Sequence, residues 1–323
     1  MVIVPPPGRI EDGRIFFKVK GKTVDLLSQN EAILRKIRGE YISMIFQDPR
    51  SALNPVYTAG DQIVEVLLHH RRKELIQNAL ERLNKEIETG KAGFLTKYYK
   101  EILQKMLKNP KAPDVQILSR IPIIKRYKRV LKDEAKKEAV NMLRIMKIPD
   151  PERVADMYPH ELSGGMAQRV VIAMALACSP RILIADEPTT NLDVTVQLQI
   201  LQLIKELKEK FASSVVYVTH DMGVIAEMCD RVAVMYAGSV VEFARVLDIF
   251  KKPLHPYTQG LLESIPRPGV QFKSIEGTVP SLINPPSGCR FNDRCHYAMD
   301  RCAKEKPRLV EVEKEHFVQC FLH

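Results

Sequence analysis

The octapeptide Arg181–Pro188, RILIADEP, most narrows what this 323-residue chain can fold into. Four apolar residues end in two adjacent carboxylic acids. A short apolar run bounded by polar residues suits a strand buried on both faces, as in a parallel sheet. Such a strand delivers its C-terminal residues to the crevice where α/β proteins bind ligands. Asp186 and Glu187 would stand there on opposite sides of the strand end. One could then hold a cation while the other orients or deprotonates a water. A buried strand that merely ends in solvated acids is the simpler alternative, and the octapeptide alone does not separate the two.

The flanking sequence supplies the rest of an α/β sheet. YISMIF (41–46) and SVVYVT (214–219) read as two more buried strands. Val194–Phe211 carries Leu198, Leu201, Ile204 and Leu207 at helical spacing, and Met222–Met228 reads as a helix. RIFFKVKGKTVDL reads as a hairpin followed by a polar helix, and residues 231–243 as a second hairpin turning at Ala237-Gly238. This alternation predicts a mainly parallel sheet with crossover helices. Residues 61–146 read as mostly helical, with a break from Asn109 to Arg126 marked by Pro110, Pro113 and Pro122.

Charge is uneven. The chain carries +10, and residues 71–138 hold 19 Lys and Arg against 9 Asp and Glu, an excess equal to that of the whole chain. Such a segment suits an anionic neighbour, nucleic acid or lipid headgroups, or is simply a solvated helical insert. The longest apolar run, Val170–Cys178, is too short to span a bilayer. The opening MVIVPPPGRIEDG has no basic and apolar leader pattern, so a cytoplasmic location is the default expectation.

Further residues gather around the acidic strand end. In LSGGMAQRV (162–170), Ser163, Gly164 and Gly165 offer a hydroxyl and open backbone N–H groups at a helix N-terminus, a ready phosphate site. VTHDM places His220 just after a strand, where a neutral imidazole can hydrogen-bond a terminal phosphate. IFQDP places Gln47 after another strand, with its amide in reach of a cation or the attacking water. Asn191-Leu192-Asp193 follows the acidic pair by a few residues.

In this order IFQDP, LSGGM, ILIADEP, NLD and VTHD resemble the Q-loop, signature, Walker B, D-loop and H-loop of ABC-transporter ATPases. FQDPRSALNPVYTAGDQI, ADEPTTNLDVTVQLQIL and HPYTQGLLESIPRP are similar to the importers of dipeptides, oligopeptides and nickel. The resemblance implies an ABC ATPase nucleotide-binding domain with a helical subdomain and a small irregular C-terminal cysteine module. It implies a core at 1–60 and 151–252, a helical subdomain with the basic insert at 61–150, and a C-terminal module at 253–323. It implies ATP with Mg²⁺. Asp186 would serve Mg²⁺, Glu187 would be the catalytic base, His220 the γ-phosphate switch, and Gln47 the link to the membrane subunits. Ser163, Gly164 and Gly165 would act on a nucleotide held by an opposing subunit, with Asp193 beside the nucleotide. Met166 and Ala167 replace the commoner residues of the signature, and Asn191 stands where many relatives have a small residue.

The implied partners are a second ABC ATPase subunit, two transmembrane permease subunits and an external substrate-binding protein, at the cytoplasmic face of the membrane. Nucleic acid is not expected, although a soluble ABC protein acting on DNA or ribosomes would suit the basic insert. Peptides are the implied cargo, with nickel and oligosaccharides as alternatives. One motif is missing: no GxxxxGK[ST] phosphate-binding loop occurs in the chain. Gly21-Lys22-Thr23 has Phe16, not Gly, five residues ahead and sits in a hairpin pattern. Either the phosphate-binding loop lies upstream of Met1, or the subunit completes a partner's site without holding ATP itself.

Of six cysteines, Cys178 and Cys229 read as core residues. Cys289, Cys295, Cys302 and Cys320 fall as C-x5-C-x6-C-x17-C. Four thiols in a core-poor segment suit a metal staple, zinc or an iron–sulfur cluster. The resemblance favours a [4Fe–4S] cluster.

Overall fold

The computed structural model describes residues 4, 7–19, 21–90, 93, 95–109, 127–266 and 274–323. They form two compact units that divide between Val218 and Thr219.

The first unit opens with β1 (Phe16–Val19) and β2 (Lys22–Asp25), then α1 (Glu31–Ile37), β3 (Ile42–Ile45) and the short α2 (Pro49–Ala52). Helices α3 (Ala59–His70), α4 (Arg72–Glu88), α5 (Thr96–Lys108), α6 (Tyr127–Ile145), α7 (Pro151–Ala155) and α8 (Gly164–Leu176) follow. β4 (Ile182–Asp186), α9 (Val194–Phe211) and β5 (Ser214–Val218) complete it. β1 and β2 pair antiparallel, and Gly21 lies between them with φ +83°. The Gly-Lys-Thr there is a hairpin turn, not a phosphate loop.

β3, β4 and β5 form a parallel sheet in that order. The register sets Ile45 opposite Ala185 and Asp186 opposite Val218. Because side chains alternate along a strand, Ile45, Leu183 and Ala185 share one face. There they join a core with Leu67 of α3, Ile172 and Leu176 of α8, and Leu203 and Ile204 of α9. On the other face Ile42, Ile182 and Ile184 pack against Leu26, Leu34 and Ile37 of the hairpin and α1 layer. That layer covers β3 and β4. On β5 the same face carries Val216 and Val218, each 50% exposed. Gly60 lets α3 meet α7, since a Cβ there would sit 2.6 Å from the Ala155 carbonyl. The sub-bundle of α4, α5 and the start of α6 has its own core of Ile76, Leu83, Ile102, Leu103, Met106 and Tyr127. Most of the Asn109–Arg126 break lies outside the described residues.

The second unit contains α10 (Met222–Met228), β6 (Arg231–Tyr236), β7 (Ser239–Arg245), α11 (Val246–Lys251) and α12 (Pro256–Glu263). α13 (Asp300–Lys304), β8 (Val310–Glu313) and β9 (His316–Val318) end it. The β6–β7 turn at Ala237 and Gly238 has φ of 45° and 77°, the paired left-handed geometry that closes two-residue hairpins. β6, β7, β9 and β8 form an antiparallel sheet in that order. The sheet therefore includes part of the segment expected to be irregular: Glu242 of β7 pairs with Val318 of β9. The segment read as a small, irregular module at 253–323 thus gives its last strands to a sheet begun at Arg231. The reason is physical: β7 needs a neighbour on its far edge, and HFV of β9 supplies backbone and apolar side chains for it. Among the described residues no helix is long and apolar enough to cross a membrane.

Candidate functional site

Three sequence-predicted residues meet where parallel strands β3 and β4 end. Asp186 is the last residue of β4 and is partly buried. Glu187 follows with a left-handed backbone, φ 43°. A non-glycine residue in that region costs about 1–3 kcal/mol and persists only when its surroundings fix it. Here its N–H donates to the Val218 carbonyl at 2.8 Å, and its own carbonyl accepts from the Thr190 N–H at 3.2 Å. The turn swings its carboxylate toward Gln47, two residues past β3, whose Nε2 donates to Glu187 Oε2 at 2.8 Å. The Thr190 hydroxyl donates to the same oxygen, also at 2.8 Å. An amide and a hydroxyl thus aim one carboxylate at the strand ends, in a place open to solvent through exposed Gln47. A carboxylate so held can orient a water and accept its proton.

Thr190 was not anticipated from the sequence. Its signal was there: a hydroxyl residue three positions after an acid, across a proline, reaches back over a turn.

A second group forms at the start of α8. Ser163 is its N-cap, and the Ser163 hydroxyl accepts from the Met166 N–H at 3.3 Å. Gly164 and Gly165 let α9 approach: a Cβ on Gly165 would lie 2.9 Å from Val196 Cγ1, and one on Gly164 3.4 Å from Leu192 Cδ2. Asp193 caps α9 by accepting from the Val196 N–H at 2.9 Å. Ser163–Gly165 and Asn191–Asp193 are therefore neighbours, and two exposed helix N-termini with caps in place lie side by side. Arg169 anchors α8 by donating to the Met146 carbonyl at 2.6 Å and to Gln199 at 3.2 Å.

His220 is exposed and belongs to the second unit, just ahead of Asp221, which caps α10 through the Gly223 N–H at 2.8 Å.

The four C-terminal cysteines line one cavity with His255, Phe291 and Met299. The Cys289 N–H donates to the Cys302 carbonyl at 2.7 Å, an approach that needs Gly288, where a Cβ would meet that same carbonyl at 2.2 Å. Burial pushes the thiols of Cys289, Cys295 and Cys320 up from their ordinary range. The cavity is about 10 Å³, no more than one water needs. Among the described residues no three His, Cys, Asp or Glu side chains are placed to hold a metal ion. The expected metal staple on Cys289, Cys295, Cys302 and Cys320, a [4Fe–4S] cluster or zinc, gains no support from this arrangement, although the four thiols line one cavity. Cys178 and Cys229 are partly rather than fully buried, and burial pushes the Cys178 thiol up to about 11.

A third cluster, unread in the sequence, is buried in the second unit. Glu242 is fully buried and accepts from the Leu254 N–H at 2.8 Å and the His255 N–H at 2.9 Å. His316 Nε2 lies 2.7 Å from its Oε1. His255 itself caps α12, its Nδ1 accepting from the Tyr257 N–H at 3.0 Å. The His-Pro-Tyr motif is thus a helix start pinned to β7.

Comparison with known proteins agrees with the motif order. Residues 9–190 match the family model described as "ABC transporter", and residues 241–302 the model described as "Oligopeptide/dipeptide transporter, C-terminal region". The dipeptide transport ATP-binding protein DppD of Bacillus subtilis is 42% identical over all of this chain and 79% of its own length. The oligopeptide transport ATP-binding protein AppD of the same organism is 42% identical over 98% of this chain and 79% of its own. A solved dimeric ATP-binding cassette with ADP and phosphate shows 24% identity over 73% of this chain and 74% of that one, with a TM-score of 0.47. With a family model over more than half its length and relatives that match nearly all of it, the chain belongs to the ATP-binding proteins of ABC transporters, in the branch that carries the oligopeptide/dipeptide-transporter C-terminal region.

Proposed function

We propose that this chain is an ATP-hydrolysing subunit that energises a peptide importer. The observation that carries the reading is the Gln47–Glu187 hydrogen bond at the ends of β3 and β4. It joins the residue fit to activate water to the residue expected to report to the membrane subunits, so nucleotide state and transport share one contact. Peptide cargo follows from the names of the relatives and from the matched C-terminal region.

Within this reading Glu187 orients the attacking water and takes its proton at Oε2 or Oε1, and Gln47 and Thr190 hold it in line. Asp186, at the strand end with its carboxylate partly open, fits Mg²⁺, which when bound offsets phosphate charge. Ser163, Gly164 and Gly165 present a hydroxyl and N–H groups to a nucleotide on an opposing subunit, with Asp193 next to them. His220 meets the terminal phosphate. The partners are a second ATPase subunit, two permease subunits and an external binding protein, and the subunit sits peripherally at the cytoplasmic face of the membrane.

One measurement tests the proposal. Reconstituted with its membrane and ATPase partners, the chain should support ATP-dependent peptide uptake, and Glu187→Gln should abolish its share of turnover. Unchanged turnover in that variant overturns the assignment of Glu187 as the base.

A further inference from the structure

The sub-bundle of α4, α5 and α6 carries charge in a pattern that the ATPase site does not use. α5 is amphipathic around a sharp division. At 100° per residue, Ile102, Leu103 and Met106 fall on one side and are buried in the sub-bundle core, and Tyr98 and Tyr99 pack against that core. The opposite side carries Lys97, Lys100, Lys105 and Lys108, with Glu101 as its one acid. Lys128 and Arg129 add two exposed cations at the start of α6. Among the described residues Lys97, Lys100, Lys108, Lys128 and Arg129 have no acidic partner. Farther along α6 the cations are matched: Lys132 with Asp61 at 2.9 Å and Lys136 with Asp156 at 2.7 Å. Positive charge is neutralised where α6 meets the body of the unit and left uncompensated where it meets α5.

We propose that the lysine face of α5 docks on anionic phospholipid headgroups of the membrane. The face is lysine, not arginine, and its tyrosines turn inward. It therefore offers point charges for a headgroup layer, without the stacking planes that single-stranded nucleic acid prefers. The apolar side of α5 is occupied by the sub-bundle core, so the contact is electrostatic and does not insert. Choosing lipid also rests on the importer reading, which sets this unit beside a membrane. Each lysine near an anionic surface is worth about 1 kcal/mol, roughly fivefold in partition at low salt.

The test is co-sedimentation of the purified full chain with phosphatidylcholine vesicles and with vesicles containing 30% phosphatidylglycerol. The wild type should favour the anionic vesicles about 100-fold at low salt, and the preference should shrink as salt rises. The quadruple variant Lys97→Gln, Lys100→Gln, Lys105→Gln, Lys108→Gln should lose most of that preference, while the quadruple Lys→Arg variant keeps it. Both retain good helix formers at exposed positions, and circular dichroism confirms that each is folded. Equal binding to the two vesicle types, or undiminished binding by the Gln variant, overturns the proposal. Tighter binding to an RNA oligonucleotide than to the anionic vesicles, abolished in the Gln variant, overturns it in favour of nucleic acid. No nucleotide turnover enters the measurement, so its failure leaves the ATPase reading intact.

Discussion

Two glutamates each collect several hydrogen bonds, and they do opposite things. Glu187 sits at a strand end with a left-handed backbone, held by Gln47 and Thr190 on one oxygen, in a place that water reaches. Glu242 lies in the middle of β7, wholly buried, held by two backbone N–H groups and the His316 ring. Both are acids with amide or imidazole partners. What separates them is who the partners are. Side-chain donors at a solvent-facing turn aim a carboxylate, whereas backbone donors in a sealed core fasten a helix to a sheet. Removing the charge should therefore cost chemistry at one and folding at the other.

The largest expected effect breaks the first half of this comparison. Glu187→Gln keeps the shape and both hydrogen-bonding neighbours but removes the proposed base. A positioned general base contributes typically 10²–10⁴-fold, so ATP turnover of the assembled transporter should fall by about 10³. Its melting temperature should hardly move. A variant that loses stability in proportion to activity would mean that Glu187 is a structural residue.

The second half is tested by Glu242→Ala, read by urea unfolding. The change leaves the Leu254 and His255 N–H groups and the His316 ring without their acceptor in a place water does not reach. A buried unpaired donor costs about 1–3 kcal/mol, so the second unit should lose about 3 kcal/mol. Any loss of ATP turnover should track the unfolded fraction.

A smaller effect comes from pH. Burial pulls His255 down to about 4, against the opposing pull of Glu242 and with a further lowering from His323. The unfolded imidazole takes its proton near pH 6.5. Between those values the unfolded chain holds one more proton than the folded one, so acid favours unfolding. Stability should be flat above pH 7, fall by about 2 kcal/mol by pH 5, and level off below pH 4. His255→Asn, which keeps a capping side chain without the titration, should flatten the slope. A slope that survives the substitution assigns it to another group.

These contrasts also show what the sequence could and could not reveal. RILIADEP announced a strand and its acidic end because apolar runs and strand-end acids are local signals, and β4 runs from Ile182 to Asp186, one residue on from the RILIA strand read at 181–185. The helix from Val194 and the turn at Ala237-Gly238 were legible for the same reason. Glu242 was not. In SVVEFAR alternation gives it Val240 and Ala244 as face neighbours, but a carboxylate reads as solvated, and only residues 254, 255 and 316 in the folded chain make its burial tolerable. β9 escaped notice too, since HFV is too short to declare itself without β7 beside it. The four cysteines gather in one cavity, as their clustering near the C-terminus suggested, but a sequence does not say whether clustered thiols hold an ion, and their arrangement gives the expected metal no support.

The finest expected effect asks whether Glu187 is aimed or merely present. Thr190 and Gln47 share one carboxylate oxygen, so Thr190→Val removes one of two donors and leaves the other. A hydrogen bond to a charged acceptor is worth about 1.5–3 kcal/mol. Gln47 can keep part of the alignment, so about 1 kcal/mol should be lost, roughly fivefold in kcat. KM for ATP should not change, because in the proposed reading the hydroxyl acts only through the Glu187 carboxylate it touches. Thr190→Ser should restore the rate. If valine keeps the full rate and serine loses it, the threonine matters through its methyl group in the turn, and the carboxylate is oriented by Gln47 alone. If valine costs as much as Glu187→Gln, the left-handed turn at Glu187 depends on Thr190. The aim of the base and the geometry of its backbone would then be one feature, and the contrast with the backbone-fastened Glu242 would narrow.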